Sequence, residues 1–189
     1  MKMFFVLFIS IFFCQSNNIN KEIKQARAFE RANMLNEAMQ IYTDIINTNP
    51  NNIQAIKRIK SIFRSNQDTT SIKNILIKYQ NKTIKDPILL IELMELNIWA
   101  NNPSWSQIGS EIYTSYNDNQ KIISLLLGKI INNGLIDYAI KYIERHRVKI
   151  DGFYSLELGN YYTSRMQYEN AMDEYLLHLK YNPQNYKII

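Results

Sequence analysis

Ala38, Ile41, Tyr42, Ile45 and Ile46 recur at i, i+3, i+4, i+7 and i+8, the spacing that lines one face of an α-helix. The same period returns further along. Ile56, Ile59 and Phe63 mark a helix over Ile53 to Arg64, and Ile72, Leu76 and Tyr79 mark its partner over Thr70 to Gln80. Asp86-Pro87 combines a capping carboxylate with a proline in the first turn, and so opens a helix reaching Ala100. Asn102-Pro103 does the same for a helix reaching about Tyr116. A fourth pair carries Leu127, Gly128, Ile131, Ala139 and Ile143. No stretch alternates with the two-residue period of a strand for long. The pattern predicts an all-α chain of about five antiparallel helix hairpins and essentially no sheet.

Two distant segments share residue types at identical spacing. The first is AxxFxxxxxxxxAxxxYxxxxxxxP, carried by Ala26, Phe29, Ala38, Tyr42 and Pro50. The second is GxxYxxxxxxxxAxxxYxxxxxxxP, carried by Gly159, Tyr162, Ala171, Tyr175 and Pro183. Small residues at the first and third positions let two helices approach closely, and the aromatic residues fill the space between that pair and the next. Proline lacks the amide hydrogen a continuing helix needs, so it marks the passage to the next hairpin. On these residues the chain resembles the tetratricopeptide-repeat family.

Pro50 and Pro183 lie 133 residues apart, four intervals of about 33, close to the 34-residue repeat of that family. The resemblance therefore implies a right-handed solenoid over residues 17–189, with repeats near 19–52, 53–86, 87–119, 120–151 and 152–185. In the fourth repeat the interval from Gly128 to Ala139 is one residue short of the other two. The resemblance also implies a groove lined by the first helix of each hairpin and holding a peptide or partner helix. Carried over repeat by repeat, its candidate lining residues are Arg27, Lys57, Ser61, Glu95, Lys129, Asn160 and Thr163. The family's carboxylate clamp of Lys and Asn is not reproduced.

Composition narrows the function classes. The chain has 189 residues, 46% of them hydrophobic, with five glycines and four prolines, which suits helices joined by short turns and not a disordered chain. Its net charge of +5 is spread along the length with acidic residues interleaved. Clusters such as Lys57, Arg58, Lys60 and Arg64, or Arg145, Arg147 and Lys149, are what one solvated helix face carries, so no nucleic-acid partner is expected.

At the start, Lys2 precedes an apolar run from Met3 to Phe13 and then Cys14, Gln15 and Ser16. The run is too short for a comfortable membrane span and matches the core of a secretory signal. Residues 1–16 thus predict export to a periplasmic, secreted or envelope-tethered location. Three outcomes stay open: cleavage near Ser16, lipidation of Cys14, or an uncleaved anchor. Cys14 is the only cysteine, so no intramolecular disulfide is available.

At the other end Met172, Leu176 and Leu179 lie on the last helix with nothing evident downstream to cover them. The expectation is that the chain continues beyond Ile189. The alternatives are that this face docks on a partner or a second copy, or that Tyr186 to Ile189 folds back over it.

Motifs for catalysis or cofactors are not found: no phosphate-binding glycine loop, no HExxH, no paired-cysteine zinc pattern and no GxSxG elbow. No enzyme activity, cofactor or metal is expected. His146 and His178, seven residues after Ala139 and Ala171, could share an ion with Asp173 or Glu174. Packed helices stand about 8 to 10 Å apart, which favours reading both as half-buried packing residues. Tyr42, Tyr79, Tyr162 and Tyr175 fall at packing positions. Trp99 and Trp105 flank the third turn, either closing it or forming an exposed anchor. The sequence therefore predicts a protein- or peptide-binding scaffold. Its rival is the recognition arm of a longer exported enzyme whose catalytic domain lies beyond residue 189.

Overall fold

A computed structural model of the chain describes residues 18–66, 69–79 and 83–185. The expectations for residues 1–16, including Cys14, and for Tyr186 to Ile189 lie outside the described residues. A helix covers residues 18–31 (α1), followed by α2 (Leu35–Thr48), α3 (Ile53–Asn66), α4 (Thr69–Tyr79), α5 (Pro87–Trp99) and α6 (Ser104–Ser115). Then come α7 (Gln120–Asn132), α8 (Ile136–Arg147), α9 (Ser155–Ser164), α10 (Tyr168–Tyr181) and a short 3-10 turn at Pro183–Asn185. Among the described residues there is no strand. The fold is all-α and built of successive helix pairs.

Four of the turns inside these pairs close in the same way. Asn33, Asn101, Gly134 and Met166 each take a left-handed conformation, with φ of 58°, 53°, 79° and 59°. In each case the next residue's N–H reaches back five residues to a carbonyl: Met34 to Phe29 at 2.9 Å, Asn102 to Asn97 at 2.9 Å, Leu135 to Ile130 at 3.1 Å and Gln167 to Tyr162 at 3.0 Å. This is the Schellman closure, which satisfies carbonyls the ending helix would leave open. Helix starts are set as their sequences require. Asp86 Oδ1 accepts from the N–H groups of Ile88 (2.8 Å) and Leu89 (3.1 Å) ahead of Pro87, and Asn119 Oδ1 accepts from Ile122 N–H at 3.2 Å.

The left-handed residue gives a register for comparing hairpins. Seven residues before it stand Ala26, Met94, Leu127 and Gly159, all buried, and five after it stand Ala38, Ala139 and Ala171 in the first, fourth and fifth pairs. Gly128 is therefore not the small residue of the fourth repeat: Leu127 occupies that place. The short interval before Ala139 reflects a glycine one position out of register. Packing gives the physical difference. A Cβ on Gly159 would lie 2.4 Å from Tyr175 Cε1, whereas one on Gly128 would stand 3.5 Å from the Tyr154 hydroxyl, an ordinary contact.

The chain divides into two compact units, residues 1–108 and 109–189, with the division inside α6. In the first, Ile23, Ala26, Ala38, Tyr42, Ile45 and Ile46 join Ile56, Ile59, Phe63, Ile72, Ile75 and Leu89 in one apolar core. α5 packs against both α3 and α4 and is buried from Leu89 nearly to its end. Tyr79, at the end of α4, donates its hydroxyl to the Pro50 carbonyl at 2.6 Å and so pins α4 to the turn between α2 and α3. In the second unit α9 and α10 pack closely, and α7 packs on α8 around Leu126, Leu127, Ile130, Ala139 and Ile143. Pro183 opens the short turn that follows α10. No helix among the described residues is long and apolar enough to cross a membrane.

Candidate binding faces

In the first hairpin Glu30, on α1, accepts a hydrogen bond from the Tyr42 hydroxyl at 2.6 Å and from Arg58 Nε at 3.0 Å, and its second oxygen pairs with the same guanidinium. Burial pushes the Tyr42 phenol up in pKa, and the adjacent Arg27 guanidinium opposes the shift. Arg27 thus lies exposed beside Tyr42, and the Arg58–Glu30 pair ties α3 to α1. Lys57 and Ser61 are exposed on α3, with Lys57 Nζ 3.7 Å from Glu92.

The fifth hairpin repeats this arrangement without charges. Tyr175 donates to Asn160 Oδ1 at 2.9 Å and lies 3.0 Å from Thr163 Oγ1. Asn160 and Thr163 stand six and three residues before the left-handed Met166, as Arg27 and Glu30 stand before Asn33, while Tyr175 and Tyr42 each come nine residues after. We call this arrangement a tyrosine clasp. Glu30 belongs to it and is not among the residues singled out from the sequence. Its signal was available in its distance from Asn33 and Tyr42. Phe29 and Tyr162, the aromatic residues of the repeat signature, are half-buried beside the clasps.

Two candidates occupy different places from those the sequence suggests. Glu95 shares the register of Arg27 and Asn160, yet it is turned inward and only 5% exposed. With Glu92 it receives the ammonium group of Lys60, which also lies 5.4 Å over the Trp99 ring. Lys60 is 4% exposed, so it does not belong to a solvated basic face. The reason is that a buried cation between two buried carboxylates is stable only with this pairing. Lys129 inherits the one-residue slip of Gly128: the position equivalent to Arg27 in the fourth hairpin is Gly128 itself. Trp99 and Trp105 are both half-buried, and neither forms an exposed anchor.

The two histidines share one register, twelve residues after Gly134 and Met166, where the first hairpin has Ile45. Both are buried and not half-buried. His178 is fully engaged: Asn185 Nδ2 lies 3.1 Å from Nε2, and Nδ1 lies 3.4 Å from Ser155 Oγ, whose own proton goes to the Gly152 carbonyl at 2.7 Å. An amide donor on Nε2 places the ring proton on Nδ1. His146 is held instead by rings, with Phe153 at 4.2 Å and Tyr113 at 6.2 Å, and neither of its nitrogens has a hydrogen-bond partner. Burial holds its pKa below the usual range, with Lys149 adding to the shift and Asp118 opposing it. Among the described residues no three His, Cys, Asp or Glu side chains gather as metal ligands would. Glu174 is taken by Arg147, which holds it with both terminal nitrogens and gives Nε to the Phe153 carbonyl at 3.0 Å. A further polar cluster, Ser110, Tyr138 and Tyr142, closes a triangle of hydroxyls at 2.9 to 3.2 Å, and burial pushes the Tyr142 phenol up to about 12.

The chain is similar to tetratricopeptide-repeat proteins. One solved structure, that of YrrB, described as a TPR protein with an unusual peptide-binding site, matches at 14% identity and a TM-score of 0.45, covering 90% of this chain and 92% of the other. Two structures of MamA match at 14% and 13% identity with TM-scores of 0.45 and 0.48, covering 86% and 91% of this chain and 96% of each of theirs. No protein-family profile and no curated protein matches the chain.

Proposed function

We propose that this chain is an exported, non-catalytic scaffold that binds a protein or peptide, with an acidic segment engaging α1 and α3, the first helices of its first two hairpins. The observation that carries this reading is the exposure of Arg27 on α1 and Lys57 on α3, two helices joined by the Arg58–Glu30 pair. Glu30, three residues along α1 from Arg27, is already shared between Arg58 and Tyr42. An incoming Asp or Glu would therefore meet a guanidinium and an ammonium group on helices held by the core beneath them. Charge-assisted bonds of that kind are the strong ones, and they weaken with salt where they are exposed.

The test is a titration of displayed peptides of acidic, neutral and basic composition against the protein at low and high salt. Acidic peptides are expected to bind most tightly. Arg27→Glu with Lys57→Glu is expected to weaken them about tenfold or more, close to 1.4 kcal/mol. Equal binding of all three classes, or binding indifferent to the double substitution, would reject the reading. Export rests on the apolar run in residues 1–16, and the mass of the protein from its native source tests it. A processed N-terminus between Cys14 and Asn17 is expected; an intact Met1 in a soluble cytoplasmic fraction would refute it.

A further inference from the structure

Large hydrophobic side chains exposed among the described residues are not spread evenly. Met34, Ile77, Leu125 and Val148 are isolated, but Met166, Tyr168, Met172, Leu176 and Tyr181 all lie on α10 or just before it. Tyr168, Met172 and Leu176 follow one another at four-residue intervals, with Leu179 three further on, so they form a single stripe along the helix. Tyr168 is 66% exposed, and Met172 and Leu176 are each 57% exposed. The equivalent positions of α2, counted from the left-handed residue, are Leu35, Met39, Thr43 and Ile46. There the apolar members are packed into the core of the first unit, and α3 lies against α2. The fold therefore shows what suits this face: a helix with its own apolar stripe.

We propose that α10 pairs with α10 of a second copy of the chain, antiparallel and about a two-fold axis. The charges beside the stripe select this occupant and this direction. Glu169, Asp173 and Lys180 are all exposed on the same flank of the stripe, acidic toward the start of α10 and basic toward its end. In a parallel pair about a two-fold axis the charged flanks of the two copies would fall on opposite sides of the seam, so Lys180 of one copy could not meet Glu169 of the other. In an antiparallel pair Lys180 of each copy falls beside Glu169 of the other, Met172 packs near Leu176, and the two helix dipoles oppose favourably. The patch is thus self-complementary, as a two-fold interface requires. A 14-residue helix is about 21 Å long, so this contact is smaller than the standard interface of about 1,600 Å² and forms a reversible dimer, not a permanent one.

Sedimentation velocity on the full chain over a dilution series tests the proposal. The expected result is a concentration-dependent shift from monomer to dimer. Met172→Asp, at an exposed site outside the core, should raise the dissociation constant at least about tenfold. Glu169→Lys and Lys180→Glu should each weaken the dimer, and the two together should restore it, since the pair is exchanged reciprocally. A monomer at every concentration, as another protein's helix or residues 186–189 covering the face would produce, overturns the proposal. So does association that Met172→Asp leaves unchanged, or a double charge exchange that fails to recover dimerisation.

Discussion

The first and last hairpins use one design with different chemistry. Both close through a left-handed residue, both place a small residue where the helices cross, and both hold a second-helix tyrosine by two side chains of the first helix. In the first hairpin that clasp is charged, through Arg27 and Glu30, and Glu30 is engaged again by Arg58 from the next helix. In the last it is neutral, through Asn160 and Thr163, and the outer face of α10 stays exposed. The difference teaches that the repeat signature governs how a hairpin closes on itself. Polar chemistry around it is decided by which neighbour it meets. Each unit then carries its own buried polar liability: a cation between two carboxylates in the first, and an unpartnered imidazole in the second.

The largest expected effect is at the buried ion cluster of the first unit. Lys60→Met removes the cation and leaves Glu92 and Glu95 side by side in the core, each less than a tenth exposed. A loss of about 3 to 5 kcal/mol is expected in urea unfolding at neutral pH. A loss under about 1 kcal/mol would mean that the carboxylates have other means of compensation and that the first unit is not organised around this pairing. The Arg147–Glu174 pair joins α8 to α10 from a more accessible position, so Arg147→Met should cost less than Lys60→Met.

Next come the two clasps. Tyr42→Phe removes a hydroxyl bound to a carboxylate and should cost about 1.5 to 3 kcal/mol, whereas Tyr175→Phe removes neutral partners and should cost about 0.5 to 1.5 kcal/mol. Equal losses would show that the charge on Glu30 adds nothing, and the contrast between the hairpins would reduce to one of shape. The glycines sharpen the same contrast. Gly159→Ala drives a methyl into the Tyr175 ring, whose hydroxyl is anchored at its far side. Overpacking of about 1 to 3 kcal/mol then exceeds the gain of about 1 kcal/mol from helix propensity, and the protein is destabilised. Gly128→Ala meets only an ordinary contact and should be neutral or stabilising by up to about 1 kcal/mol. The two substitutions are chemically identical, so opposite signs would establish that only Gly159 is a close-approach residue.

Much of this was legible in the chain, and the misreadings have physical causes. Ala26, Ala38, Gly159 and Ala171 could be read because small residues at helix crossings repeat with fixed spacing. Asp86-Pro87 could be read because a cap is a local signal. Gly128 and Lys129 are out of register because a glycine is an ambiguous marker of the helix crossing: Ala139 and Gly134 both set the register at Leu127. Lys60 and Glu95 were beyond reach: they are 35 residues apart, and nothing local separates a lysine destined for the core from one on a solvated face. The repeat signature already aligns Glu30 with Thr163, but that these side chains hold the tyrosine hydroxyl shows only in the contacts.

The smallest expected effect depends on pH and separates Ile45 from His146, which hold the same place in their hairpins. The His146 imidazole is buried without partners, and its pKa is lowered by that burial, then by Lys149, with Asp118 working against the shift. The unfolded chain takes up a proton near pH 6.5 that the folded chain refuses, so the folded state loses stability as pH falls below 6.5. The loss stops growing once pH falls below the lowered folded value. Between pH 7 and about 5.5, where most carboxylates remain ionised, the protein should therefore lose more stability than His146→Ile. That substitution places the first hairpin's residue in the fourth, so it should flatten the pH dependence of urea unfolding over this range. An unchanged slope would show that His146 accepts its proton in the folded state. Its Phe153 and Tyr113 surroundings would then have to open to water at no cost, and the second unit would carry no polar liability of its own.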